Sequence, residues 1–133
     1  MEERRQRKFV PASAVQHKTA GPYSPVVEVD ARRLVVISGQ VAIGLDGKMT
    51  GESIEEQTRS ALENCRRQLA AAGADFADVF KVNVYLRDLA EWTRFNVVYE
   101  ELLPHPFPVR TAVQAGLLSD FKVEIEMWAA KDS

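Results

Sequence analysis

The period of the apolar positions changes several times along the chain, and each change marks an element. Residues 26–29 and 33–37 are short apolar runs separated by Asp30-Ala31-Arg32, which predicts a strand pair joined by a tight turn. Ser38-Gly39-Gln40 interrupts the second run. Residues 41–43 continue it as a third strand, and Leu45-Asp46-Gly47-Lys48 follows as a turn in which Gly47 suits positive φ. The spacing then becomes helical. Ile54, Thr58, Ala61, Cys65, Leu69 and Ala72 recur every three or four residues. Ser53 and Glu56 form an S-x-x-E capping box at the start, and Gly73 sits where a helix ends. The opposite face, with Glu55, Arg59, Glu63, Arg66 and Arg67, reads as solvated.

Residues 79–87 alternate, with Val79, Lys81, Asn83 and Tyr85 on one face and Phe80, Val82, Val84 and Leu86 on the other. Asp88 and Glu91 supply a second capping box. The stripe behind it is Leu89, Trp92, Phe95, Tyr99 and Leu102 or Leu103. Pro104 ends this helix, and Pro106 and Pro108 keep the next segment extended. Two last strands, 110–115 and 122–130, are joined by a turn near Ser119-Asp120. The order β-β-β-α-β-α-β-β predicts an α+β domain of two layers, a mixed sheet with two helices on one face. No third layer remains to cover the other face. A second subunit is its natural cover, although a half-exposed antiparallel sheet is also physically permitted.

Composition narrows the function. A chain of 133 residues with 46% apolar and 27% charged residues is one ordinary soluble domain. The plan is an arm and lead-in over residues 1–20 and a single domain over 21–133. A formal charge of −2 argues against nucleic acid, whose phosphates call for a cationic footprint. Cys65 is the one cysteine, and His17 and His105 stand far apart, so neither a disulfide nor a metal site is expected. The apolar runs are too short to span a membrane, and the charged residues 1–8 are not followed by a signal-like stretch. These features predict a cytoplasmic protein whose Arg4, Arg5, Arg7 and Lys8 belong to a solvated arm.

P-loop, Rossmann, nucleophile-elbow and zincin motifs are absent from the sequence. Cys65, on the apolar stripe, reads as an inert thiol. Three segments stand out. Gly21-Pro22-Tyr23-Ser24-Pro25 is a stiff lead-in that presents a tyrosine. Phe107-Pro108-Val109-Arg110-Thr111 delivers an arginine to the start of a strand, and its fork can bind a carboxylate through two parallel hydrogen bonds. Lys122-Val123-Glu124-Ile125-Glu126-Met127 puts Glu124 and Glu126 on one strand face, where a carboxylate can orient water or move a proton. Each segment alone reads more simply as ordinary structure: a packed ring, a surface arginine or structural ion pair, a charged strand face.

Taken together and in order, these pieces resemble the RidA (YjgF) family. The resemblance runs from about Gly21 to Ala130. It rests on Gly21-Pro22-Tyr23-Ser24, Ile37-Ser38-Gly39-Gln40, Ala72-Gly73-Ala74, Lys81-Val82-Asn83-Val84-Tyr85-Leu86, Asn96 with Tyr99-Glu100, Pro108-Val109-Arg110 and Val123-Glu124-Ile125-Glu126. It implies a chorismate-mutase-like fold, a homotrimer with sites between subunits, and cofactor-free hydrolysis of 2-imino acids or their enamine tautomers to 2-oxo acids and ammonia, as in 2-iminobutanoate/2-iminopropanoate deaminases. On that resemblance Arg110 binds the substrate carboxylate and Glu124 is associated with the attacking water. Tyr23, Ser38 and Asn96 line or support the cleft. The sequence departs from the family pattern at Ala112, where many members have cysteine, at Trp128, and over residues 114–120, which lack a second arginine and a proline. The altered loop keeps two alternatives open: a deaminase of a larger unsaturated amino acid, similar to 2-aminomuconate deaminase, or a non-catalytic carboxylate-binding trimer.

Overall fold

The computed structural model describes residues 8–132. Its strands are β1 (Lys8–Phe9), β2 (Glu28–Val29), β3 (Arg33–Gln40), β4 (Val79–Leu86), β5 (Val109–Gln114) and β6 (Val123–Lys131), and its helices are α1 (Ile54–Ala71) and α2 (Trp92–Leu102). The main sheet has the order β3-β6-β4-β5. Strand β6 is antiparallel to both β3 and β4, while β4 and β5 are parallel. This is the mixed sheet that the pattern predicts, with a crossover the pattern does not reveal: β6 returns to lie between β3 and β4 instead of beside β5.

One face of the sheet builds the core. Val35, Ile37, Val82, Val84, Leu86, Val123, Ile125, Met127 and Ala129 are buried there against Ile54, Leu62, Cys65 and Leu69 of α1 and Phe95, Val98 and Tyr99 of α2. Helix α1 begins and ends as its sequence demands. Ser53 and Glu56 satisfy each other's backbone donors at 3.1 Å each. At the other end Gly73, at φ +75°, closes a Schellman motif in which Ala74 N–H donates to Leu69 O and Gly73 N–H donates to Ala70 O. Burial pushes the Cys65 thiol up to about 12. The thiol therefore stays protonated throughout the neutral range.

Several expectations are corrected. Strand β2 does not form a hairpin with β3. It pairs with β1, while β3 takes β6 as its partner from Arg33↔Lys131 to Ile37↔Met127. The reason is that β6 offers a long alternating run, and pairing with it carries Val35 and Ile37 into the core. Lys8 lies in β1, 5% exposed, and donates to Val79 O, so it is not part of a solvated arm. Arg4, Arg5 and Arg7 fall outside the described residues. Residues 41–43 are not a strand: Ile43 makes one bridge to Met49, and the carbonyls of Val41 and Ile43 accept hydrogen bonds from Asn64 Nδ2 at 2.9 and 2.8 Å. A helix side chain thus takes the place of a neighbouring strand. Asp88 caps a 3-10 turn by accepting from Ala90 N–H, and α2 starts only at Trp92; Glu91 faces Arg94 at 3.5 Å instead of closing a capping box. Leu89, expected in the buried stripe, is 43% exposed. The face of α1 read as solvated partly links the helices, through Glu55 to Arg94 and Arg59 to Glu101.

Two outcomes follow. Asn64→Ala removes the side-chain donor to Ile43 O and one of two donors to Val41 O, which keeps the Ile43 N–H, and is expected to lower stability by about 1–3 kcal/mol in urea unfolding, with an unchanged slope. Iodoacetamide at pH 8 should leave Cys65 unmodified in the folded protein and alkylate it in urea.

Candidate functional site

The two residues of greatest chemical interest stand on opposite faces of the sheet. Arg110 is paired with Val82 across the β4–β5 ladder and shares its helix-side face. Glu124 lies opposite Tyr85 across the β4–β6 ladder, on the outer face, between the buried Val123 and Ile125. The arrangement is therefore two half-sites.

The Arg110 half-site is an aromatic cage. The guanidinium carbon lies 4.7 Å from the ring centre of Tyr99, 4.9 Å from Trp92, 5.3 Å from Tyr23 and 5.7 Å from Phe95. Trp92, Phe95 and Tyr99 come from successive turns of α2, and Tyr23 comes from the lead-in. Ser24 holds that lead-in against the segment before β5: its hydroxyl donates to Phe107 O, and its N–H donates to Pro108 O at 3.2 Å. The backbone at Gly21 approaches closely. A methyl built there would lie 3.6 Å from both Arg110 Nη2 and Asn96 Nδ2. Both terminal nitrogens of Arg110 are shielded from solvent and have no hydrogen-bond partner among the described residues, and the same holds for Asn96 Oδ1 and the Tyr99 hydroxyl. Burial pushes the Arg110 pKa below the usual arginine value, with Tyr99 and Tyr23 opposing the shift, and pushes the Tyr99 phenol up. A guanidinium nevertheless remains charged at neutral pH. A buried fork without an acid is costly, and a ligand carboxylate is the group whose shape and charge match it.

The Glu124 half-site is an open cleft of about 520 Å³. Glu124, Glu126 and Tyr85 form its floor, and Ala115, Gly116, Leu117 and Leu118 form a wall. Gly39, at the irregular step in the β3–β6 pairing, makes room for the acid: a methyl there would lie 2.9 Å from the Glu124 carboxyl carbon and closer still to one oxygen. The Tyr85 hydroxyl donates to Glu126, which leaves Glu124 as the acid without that engagement. Ser38 is exposed, and the alternation from Leu34 and Val36 puts it on this same face. Leu34 and Val36, 61% and 59% exposed, make that face apolar beyond the cleft.

Of the site residues the sequence singles out, the structure brings Tyr23, Asn96 and Arg110 together in one half-site and places Ser38 and Glu124 on the other face. The spacing predicts Trp92, Phe95 and Tyr99 as a buried stripe, and Tyr99 also belongs to the residues that carry the family resemblance. Their three- and four-residue spacing puts them on one side of α2, and that side turned out to face the arginine. The requirement for glycine at position 39 was not read from the sequence either. Ala112 is partly buried at the core's edge, and Trp128 lies partly buried with the Lys81 ammonium 5.0 Å over its ring. Among the described residues no group of three or more His, Cys, Asp or Glu side chains is arranged to hold a metal, and no helix is long and apolar enough to cross a membrane.

The described chain is thus a two-layer α+β domain with a buried arginine fork on the helix side of its sheet and an acid in an open cleft on the other face. Residues 13–131 match the Ribonuc_L-PSP model, described as endoribonuclease L-PSP, and the chain belongs to this family, also known as YjgF/RidA. It is 37% identical to protein mmf2, mitochondrial, of Schizosaccharomyces pombe over 126 residues, covering 92% of this chain and 98% of that one. It is 39% identical to human 2-iminobutanoate/2-iminopropanoate deaminase over 110 residues, covering 80% of this chain and 77% of that one. Its fold superposes on a crystal structure of a YjgF-family protein from Neisseria meningitidis with a TM-score of 0.68 at 32% identity, covering 86% and 92% of the two chains.

The unpartnered fork makes an unusual stability prediction. Arg110→Met keeps much of the side-chain volume and removes an unsatisfied charge, so thermal unfolding should show stability unchanged or raised by about 1–3 kcal/mol. Small monocarboxylates should raise the melting temperature of the wild type and not of this variant.

Proposed function

We propose that the protein is a hydrolytic deaminase of 2-imino acids, assembled as a homotrimer whose sites lie between subunits. The observation that carries this reading is the Arg110 fork, buried, encircled by aromatic rings and without an acidic partner among the described residues. Membership of a family that includes a human protein named 2-iminobutanoate/2-iminopropanoate deaminase supports it. The opposed placement of Arg110 and Glu124 gives the assembly a purpose, because a small substrate can meet both only if a neighbouring subunit supplies one of them. The exposed Leu34 and Val36 on the Glu124 face supply apolar surface for that contact. A reducing compartment such as the cytosol suits a chain whose single cysteine is free.

In this mechanism Arg110 binds the carboxylate through paired hydrogen bonds, with Tyr23 and Asn96 completing the wall around it. Ser38 shares the sheet face of Glu124, at the reacting end. The protonated imine carbon is already electrophilic. Glu124 orients a water and accepts its proton as the oxygen bonds to that carbon and the C=N π electrons move to nitrogen. The same proton then passes to the nitrogen. The carbon–nitrogen bond breaks as the hydroxyl oxygen forms the carbonyl, and the hydroxyl proton leaves with the departing ammonia as ammonium. The products are a 2-oxo acid and ammonium. Positioning and charge placement provide the catalysis, without a covalent nucleophile.

The test is a coupled assay in which an amino-acid oxidase generates the imine and its disappearance is followed. The wild type should accelerate it, and Arg110→Met should not. Glu124→Gln should lower turnover by about 100-fold or more with a smaller change in KM. Folding Arg110→Met and Glu124→Gln together in equal amounts should restore roughly a quarter of wild-type activity, because about one site in four then pairs an intact arginine with an intact glutamate. No recovery would sink the shared site, and no acceleration by the wild type would sink the deaminase reading.

A further inference from the structure

The four rings around the Arg110 fork are not held alike. Trp92, Phe95 and Tyr99 ride on α2, and Phe95 and Tyr99 are fully buried in the core. Tyr23 stands on a lead-in that has no helix or strand at that point, and it is only partly buried. Its backbone is fixed on both sides. Pro22 and Ser24 are buried, and Ser24 ties the chain to Phe107 O and Pro108 O. Gln16 Nε2 donates to Tyr23 O at 3.2 Å. None of these contacts reaches the phenol. A ring on a fixed backbone still has two side-chain torsions, so a contact at its far end decides where it rests.

His17 makes that contact. Its Nε2 lies 3.4 Å from the Tyr23 hydroxyl, and its Nδ1 lies 2.9 Å from the Thr19 hydroxyl. Ala20 N–H donates to His17 O at 3.2 Å, which closes a turn over residues 17–20 and keeps His17 beside Thr19. Thr19 thus fixes one nitrogen of the imidazole and leaves the other for the tyrosine. Both hydroxyls can donate or accept, so either neutral tautomer completes the bridge. The series runs from Thr19 through His17 to Tyr23, whose ring centre lies 5.3 Å from the Arg110 guanidinium carbon. Gln16 and His17, consecutive in sequence, hold Tyr23 at its carbonyl and at its hydroxyl. His17 is exposed and has no share in the core.

We infer that His17 is a positioning residue of the carboxylate site: through the Tyr23 hydroxyl it holds the phenol ring against the Arg110 fork, and so sets how tightly that fork takes an anion. This rests on the reading of Arg110 as the substrate's carboxylate anchor. A fork whose surrounding rings are already in place loses less freedom when it binds. The carboxylate is held alike before and during the reaction at the substrate's other end. Loss of the bridge therefore appears in KM and leaves kcat in place. One exposed hydrogen bond limits the effect to about 3- to 10-fold.

The experiment uses the full chain and two readouts. One is steady-state hydrolysis of the imine that an amino-acid oxidase generates from methionine. The other is calorimetric titration with propanoate, an unreactive monocarboxylate. His17→Leu is expected to raise both KM and the propanoate Kd by about 3- to 10-fold, with kcat within about twofold and an unchanged melting temperature. His17→Gln, whose side-chain amide can replace Nε2, should stay near the wild type. Tyr23→Phe should raise the propanoate Kd, and adding His17→Leu to it should change nothing further, because the partner hydroxyl is already gone. An unchanged Kd in His17→Leu, or a rise just as large in the Tyr23→Phe background, would overturn the role of His17. A wild type that binds propanoate but hydrolyses no imine would remove the deaminase reading, and the Kd series would still decide the role of His17. A wild type that binds no propanoate would overturn the anion fork and the positioning role together.

Discussion

Strand β6 lies in the middle of the sheet, and the two-residue period of its side chains divides the molecule. Val123, Ile125, Met127 and Ala129 turn toward the helices and are fully buried. Glu124 and Glu126 turn away from them. Since both helices lie on one face, everything on the other face is left to solvent or to another chain. The same parity, carried across β4 to β5, sends Arg110 to the helix side. A one-residue slip anywhere in this ladder would bury two glutamates and expose four core residues, so the register is strongly constrained. The separation of the acid from the arginine is a consequence of the register that builds the core.

Arg110 introduces a local cost to stability within that frame. Its charge is surrounded by four aromatic rings, whose faces offer some electrostatic compensation but no hydrogen-bond acceptor for the terminal nitrogens. Asn96 and Tyr99 contribute further unpaired polar atoms. An arginine that served only structure would be expected to find an acid or a set of carbonyls, as Arg87 does with three carbonyls of the 115–122 loop. The two arginines contrast: Arg87, on the surface, is satisfied by carbonyls, while the shielded fork of Arg110 has no hydrogen-bond partner among the described residues.

The loop between β5 and β6 shows a different balance. It must cross the end of β4, because β6 inserts between β3 and β4. That crossing brings Leu117 and Leu118 beside Glu124. Ser119, at φ +50°, makes the local reversal, and Arg87 fixes the surrounding carbonyls. The departure of residues 114–120 from the family pattern therefore changes the wall of a cleft, while the strand carrying Glu124 keeps its place.

The sequence by itself determined what depends on local periodicity and local hydrogen bonding. The boundaries and caps of α1, the alternation of β6 and of β4 beyond Val79, and the α+β class rest on neighbours within a few positions, where side-chain spacing dictates geometry, whereas Arg110 and Glu124 stand out only through the ordered family resemblance. The order of strands in the sheet was decided only by the tertiary structure. So were the pairing of Glu28–Val29 with Lys8–Phe9, the replacement of a third strand by the Asn64 hydrogen bonds, and the cage of Trp92, Phe95 and Tyr99 around Arg110. These are contacts between residues far apart in the chain. Several strand pairings satisfy the same local pattern, and the choice among them is made by which one closes a single core.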